Sequence, residues 1–125
     1  MLKKQTLVSS FTSGLNGILT VPGDKSISHR SLIIAGMAIG QTEIRGLLRS
    51  EDVLSTLCAM RQLGVTIEDD LDKNIITVKG VGTSGFNSPN KPLDLGNSGT
   101  GVRLLMGAIA GQPLTARLTG DASLS

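Results

Sequence analysis

Twice in this chain an apolar, β-like run breaks at a glycine and passes directly into an apolar, helix-like run. The first corner is Val21-Pro22-Gly23-Asp24-Lys25-Ser26-Ile27-Ser28-His29-Arg30, and the second is Leu95-Gly96-Asn97-Ser98-Gly99-Thr100-Gly101-Val102-Arg103. Pro22-Gly23 punctuates the first run, and Asp24 or Ser26 then caps the helix. The first turn of a helix has free N–H groups and a partial positive charge. Lys25 stands at that entrance, and Arg30 follows Ser26 by four residues, which places the two on one helix face. A lysine, a hydroxyl, an arginine and free amides together suit a phosphate or a carboxylate. On residue types alone the stretch also fits an ordinary capped helix with solvated charges, because short motifs recur by chance.

The second corner repeats the device. Its glycines admit an anion close to the backbone, Ser98 and Thr100 are candidate caps or donors, and Arg103 follows in the first turn. It is not a Walker A loop, since no Gly-Lys-Ser/Thr closes it, and its G-x-x-G-x-G order is not the dinucleotide fingerprint. A tight turn with a simple cap is the plain alternative. Occurrence at equivalent points of two similar blocks strengthens the anion reading. Two such sites facing one another would hold one ligand with two acidic groups, or two anionic ligands.

Around these corners the pattern alternates. Residues 5–11 are a short strand candidate, turn signals stand at Ser13-Gly14 and Asn16-Gly17, and residues 17–21 are β-like. Residues 26–39 predict a largely buried helix closed by Gly40, and residues 41–46 a strand. Ser50 is placed to cap a second helix, with Glu51 and Asp52 in its first turn, a stripe of Val53, Leu54, Leu57, Met60 and Leu63, and Gly64 as its stop. Residues 65–79 read as a β-hairpin whose acidic tip lacks the spacing of a calcium loop. Residues 15–80 thus read β-α-β-α-β-β. After a loop over residues 80–92, residues 93–95 are β-like, residues 102–110 helical and residues 114–118 β-like, so the second block restarts the first.

Composition narrows the function. With two Phe and no Trp or Tyr, the chain has few stacking platforms for single-stranded nucleic acid, and its net charge of +2 is scattered. Cys58 is the single cysteine, so no internal disulfide forms, and a lone helical cysteine is ordinarily inert packing. Lys3 and Lys4 are not followed by the apolar run of a signal peptide, and no stretch approaches a membrane span, so the expected place is the cytoplasm. His29 is the single histidine. It stands near the first corner either as a general base or, more ordinarily, as a hydrogen-bonding or packing residue, and it has no second His or Cys to form a zinc site. No G-x-S-x-G elbow is present, which disfavours a serine hydrolase.

The two corners resemble the signatures of the 5-enolpyruvylshikimate-3-phosphate (EPSP) synthase family. Leu19 to Arg30 is similar to the N-terminal signature and Leu95 to Arg103 to the second; Leu48-Arg49-Ser50-Glu51-Asp52-Val53 and Leu118-Thr119-Gly120-Asp121 match in order and spacing. The resemblance runs from about Gly14 to Ser125. It implies transfer of the enolpyruvyl group of phosphoenolpyruvate to the 5-hydroxyl of shikimate 3-phosphate with release of phosphate, on the route to chorismate and aromatic amino acids, with no metal or organic cofactor. It implies that Lys25 contacts both substrates and is catalytic, and that Ser26 and Arg30 hold shikimate 3-phosphate. It further implies that Asn97, Gly99 and Thr100 line the phosphoenolpyruvate pocket, where glyphosate binds in the family, and that Arg103 supports that loop.

The implied fold is α/β: βαβαββ units of the inside-out barrel of enolpyruvyl transferases, one complete over residues 15–80 and about half of a second over 92–125. Residues 14–125 would form an incomplete N-terminal domain, and residues 1–13 a strand belonging to the other domain. The partners so implied are the two small anionic substrates and the C-terminal part of the same enzyme, without nucleic acid or membrane, and the chain alone would be inactive. Two other readings remain: the sibling transferase acting on UDP-N-acetylglucosamine, which carries a cysteine on a mobile loop, and a non-catalytic anion-binding module.

Overall fold

The computed structural model describes residues 6–124. The elements run α1 (Lys25–Met37), β1 (Ile39–Arg45), α2 (Glu51–Gln62), β2 (Thr66–Asp70), β3 (Ile75–Val81), β4 (Leu93–Asp94), α3 (Gly99–Ile109) and β5 (Leu118–Thr119). This is a mixed α/β arrangement, as the alternation predicts. β1, β3 and β2 form one antiparallel sheet in that order, with Ile39 opposite Val81 and Thr66 opposite Lys79. β4 and β5 form a short parallel pair.

The hairpin follows the sequence closely, because alternation and a polar turn are both local signals. Ile67, Ile76 and Val78 point inward, and Asn74 takes the left-handed conformation at the tip (φ 52°). Asp69 pairs with Arg49 and Asp70 with Lys73, so two of the three acidic residues near the tip are engaged. The helices cover the sheet with Leu32, Ile33, Val53, Leu57, Met60 and Leu63, and Leu93, Leu95 and Leu105 extend the same core under α3. Aliphatic side chains of this kind supply the driving force at about 25 cal/mol per Å² of apolar surface removed from water.

Several boundaries differ from the periodic reading. α1 ends at Met37 rather than at residue 39, because Ala38 turns extended and its carbonyl accepts the Gly82 N–H at 2.9 Å. Gly40, with φ +101°, therefore lies inside β1 and not at a helix end. α3 starts three residues before Val102, at Gly99, and the last β-like run pairs through Leu118–Thr119 rather than along residues 114–118. Ser50 stands at the N-cap of α2 but makes no side-chain cap bond; its hydroxyl donates to Asp52 instead. Cys58 is exposed on α2, not packed.

Residues 17–21, the expected opening strand, carry no strand pairing, and neither do residues 6–11; position 5 lies outside the described residues. Leu7, Phe11, Leu15, Ile18 and Leu19 are almost wholly exposed. A strand exists only by pairing, and no described strand lies beside this segment. β-propensity alone therefore leaves it unassigned.

Candidate anion-binding site

Asp24, not Ser26, caps α1: its carboxylate accepts the Ile27 N–H at 2.8 Å. Ser28 ties the corner down. Its hydroxyl donates to the Asp24 carbonyl at 2.7 Å and accepts the Leu48 N–H at 3.0 Å. Gly23 has to be glycine here, since a Cβ would stand 2.3 Å from the Gly46 carbonyl oxygen. Lys25 is thereby fixed as the first residue of α1, with its ammonium 2.9 Å from Asp52 Oδ2 and its side chain 55% exposed. Ser26 is half-buried. Arg30, one turn on, is exposed and donates to the Ser26 carbonyl at 3.1 Å. Arg30 and Ser26 thus meet one turn apart on α1, as their spacing predicts, while the Lys25 ammonium turns to Asp52.

At the second corner Gly96 takes φ +55° and Ser98 caps α3, accepting the Gly101 N–H at 3.0 Å. Asn97 is exposed at the tip, while Gly99 and Thr100 are half-buried in the first turn. Arg103 reaches back to the Gly99 carbonyl at 3.5 Å. The Gly120-Asp121 turn backs the corner, because the Asp121 N–H donates to the Gly96 carbonyl at 2.9 Å. A Cβ on Gly120 would stand 2.5 Å from that same oxygen.

The two corners meet through a buried polar chain. His29, fully buried, places Nδ1 2.8 Å from Thr56 Oγ1 and Nε2 3.4 Å from Ser98 Oγ. Asp52 Oδ2 lies 3.8 Å from Nε2 and joins the chain to Lys25. Three helix N-termini, capped at Asp24, Ser50 and Ser98, thus lie around one point, each bringing the partial positive charge of its first turn. Burial alone would raise the Asp52 carboxyl. Hydrogen bonds from Ser50 and Lys25, the Lys25 charge and the Val53 N–H outweigh it and hold Asp52 at about 2. Burial lowers His29 from its ordinary value, with Lys25 and Arg30 adding to the effect against the opposing pull of Asp52. The histidine is therefore a neutral, hydrogen-bonded core residue, the ordinary one of its two sequence readings.

What sequence reasoning missed is the partner set on α2. Asp52 was legible as a charge complementing the helix dipole, not as the anchor of Lys25, and Thr56 gave no signal of its own. The four-residue spacing of Asp52 and Thr56, which places both on one helix face, was the available hint. Geometrically the assembly offers exposed cationic side chains beside converging amide ends, which is suited to holding small, multiply anionic molecules.

A profile of the EPSP synthase family, 3-phosphoshikimate 1-carboxyvinyltransferase, matches residues 10–125. The chain is 53% identical over 120 residues to the 3-phosphoshikimate 1-carboxyvinyltransferase of Parvibaculum lavamentivorans, covering 96% of this chain and 26% of that protein. It is 58% identical over 111 residues to the enzyme of that name from Streptococcus uberis, covering 89% of this chain and 26% of that protein. Among solved structures, EPSP synthase from Acinetobacter baumannii superposes with a TM-score of 0.81 at 48% identity, covering 87% of this chain and 24% of that one. The chain spans about a quarter of the length of these curated relatives.

Proposed function

This chain belongs to the EPSP synthase (3-phosphoshikimate 1-carboxyvinyltransferase) family, and we propose that it supplies one part of such an enzyme's substrate site. In the net reaction the 5-hydroxyl oxygen of shikimate 3-phosphate bonds to the enol carbon of phosphoenolpyruvate. The bond from that carbon to the phosphate oxygen breaks, and the hydroxyl proton is balanced by the departing phosphate. Lys25 contacts both substrates. Ser26 and Arg30 hold shikimate 3-phosphate, Asn97, Gly99 and Thr100 line the phosphoenolpyruvate pocket, and Arg103 steadies the loop of Gly99. The observation that carries this reading is the continuous contact from Lys25 through Asp52 and His29 to Ser98, which sets the two cationic corners side by side.

The same reading assigns residues 15–80 to one βαβαββ unit and residues 92–125 to part of a second. Residues 1–13 go to a strand completed by the other domain of the enzyme. The exposed apolar side chains of Leu7, Val8 and Phe11 support that assignment; positions 1–5 lie outside the described residues. Among the described residues no helix is long and apolar enough to cross a membrane, in keeping with a place in the cytoplasm. Chemistry that depends on proximity of both substrates needs groups from both sides of the cleft, so this chain binds substrate without turning it over.

The test is a titration of the chain with shikimate 3-phosphate followed residue by residue, beside a phosphate-release assay with both substrates. Responses at Lys25, Ser26 and Arg30 without turnover are expected. Salt-dependent binding of random DNA with no response to shikimate 3-phosphate would overturn the assignment, and robust turnover would overturn the division of labour.

A further inference from the structure

The buried histidine is not used by the substrate contacts proposed above, yet it is the joint between them. Its ring lies between Thr56 of α2 and Ser98 at the cap of α3. The two ring tautomers differ in which buried hydrogens find an acceptor. The Thr56 hydroxyl is 3.4 Å from the Asp52 carbonyl oxygen, and Ser98 Oγ already accepts the Gly101 N–H. If Nδ1 carries the ring proton, it donates to Thr56 Oγ1, and the Thr56 hydroxyl donates on to the Asp52 carbonyl. The Ser98 hydroxyl then donates to bare Nε2, and every polar hydrogen has an acceptor. If Nε2 carried the proton, it would face Ser98 Oγ at 3.4 Å and the Asp52 carboxylate at 3.8 Å, both longer than the Nδ1 contact to Thr56, and the Ser98 hydroxyl hydrogen would lose its nitrogen acceptor. The packing allows little slack, since a Cβ on Gly101 would stand 2.7 Å from Ser98 Oγ and 2.9 Å from Thr56 Oγ1.

We infer that His29 is a positioning residue: through Thr56 and Ser98 its Nδ1–H ring fixes the spacing of the Lys25 and Gly99 corners, so that an anion held at the first corner is felt at the second. The charged groups facing the ring are Asp52 from α2 and Lys25 and Arg30 from its own helix, while α3 presents the neutral Ser98. The ring transmits position rather than protons, because it is fully buried. The coupling rests on the functional reading above only for the identity of the anion.

The experiment is nitrogen-resolved NMR of the 125-residue chain in two arms. In the ligand-free arm, the wild-type ring shows the Nδ1–H tautomer. Thr56→Val, which removes the acceptor of Nδ1–H while keeping the side-chain shape, turns the ring towards Nε2–H and displaces the Gly101 amide resonance. A wild-type ring carrying Nε2–H, or a Gly101 amide unmoved in Thr56→Val, overturns the inference whatever the function. In the ligand arm, shikimate 3-phosphate added to the wild type moves the Ser26 and Arg30 amides together with those of Gly99 and Gly101. In His29→Asn the response at Ser26 and Arg30 persists and that at Gly99 and Gly101 is lost. Retention of the distant response in a folded His29→Asn, or in Ser98→Ala should His29→Asn not fold, overturns the coupling. If the wild type responds nowhere, the functional reading fails while the ligand-free arm still decides the network.

Discussion

Lys25 Nζ lies 2.9 Å from Asp52 Oδ2, so the cation of the first corner is held from a different helix, by a carboxylate only 10% exposed. The pair sets the direction of the lysine while leaving much of its side chain in solvent. Asp52 in turn is braced by Ser50 and by the Val53 N–H.

Asp52→Asn should therefore weaken the fold in a pH-dependent way. Asp52 stands at about 2 in the folded chain against 3.8 when unfolded. A depressed carboxylate contributes stability that is fully present above the unfolded value and is lost as pH falls through the folded one. The contribution is about 2 kcal/mol at neutral pH. Urea unfolding should show the variant less stable by that amount at pH 7, with the gap closing as pH falls from about 4 towards 2. A gap that stays constant over this range would remove Asp52 from the linkage.

His29 predicts a second pH effect at milder acidity. Its folded value lies below the ordinary 6.5, chiefly through burial, so the unfolded chain takes up the proton first. Stability is full above pH 6.5 and declines as pH falls below it towards the folded value. Thermal melts between pH 7.5 and 5.5 should show the wild type losing stability, whereas a folded His29→Gln variant loses less over the same range.

Two glycines of the second corner should respond differently to a methyl group. In Gly101→Ala the new Cβ meets Ser98 Oγ at 2.7 Å and Thr56 Oγ1 at 2.9 Å, both held in the buried network. A cost of about 1–3 kcal/mol is expected from overpacking. In Gly99→Ala it meets the flexible tip of Arg103 at 3.2 Å, which yields easily, so the unfolding midpoint should stay close to the wild type. In the whole enzyme, the proposed placement of Gly99 in the phosphoenolpyruvate pocket predicts that Gly99→Ala weakens glyphosate more than shikimate 3-phosphate. Equal weakening of both ligands would move Gly99 out of that pocket.

Arg49 grips Asp69 through both ends of its guanidinium, at 2.9 and 2.6 Å, and reaches Asn74 at 3.3 Å. This clamp fastens the approach to α2 onto the hairpin. A lysine offers one point charge in place of the planar fork. Arg49→Lys should cost about 1 kcal/mol in chemical denaturation. The hairpin amides around Asn74 should exchange faster, and unchanged exchange there would show that the clamp is ornamental.

Much of the fold is legible in local signals. Pro22-Gly23 and Gly96 mark the corners, the alternation of residues 65–79 marks the hairpin, and the spacing of Val53, Leu57 and Met60 marks the buried face of α2. The candidate cations Lys25 and Arg30 are readable for the same reason, because a helix start is a local event. Less legible were Gly40, which the chain spends inside β1, and Cys58, whose place on the exposed face of α2 follows from packing rather than from residue type.

The sequence by itself determined that helices follow the two glycine corners, that those corners would carry cations beside free amides, and which family the motifs resemble. Those properties depend on neighbours within a few positions along the chain. Only the tertiary structure decided that Asp52 anchors Lys25, that His29 is sealed between Thr56 and Ser98, and that residues 17–21 have no strand beside them among the described residues. Each of these is a meeting of groups far apart in sequence or the lack of one. Such meetings are set by how helices and strands pack, and no local periodicity encodes which side chain a buried nitrogen will face.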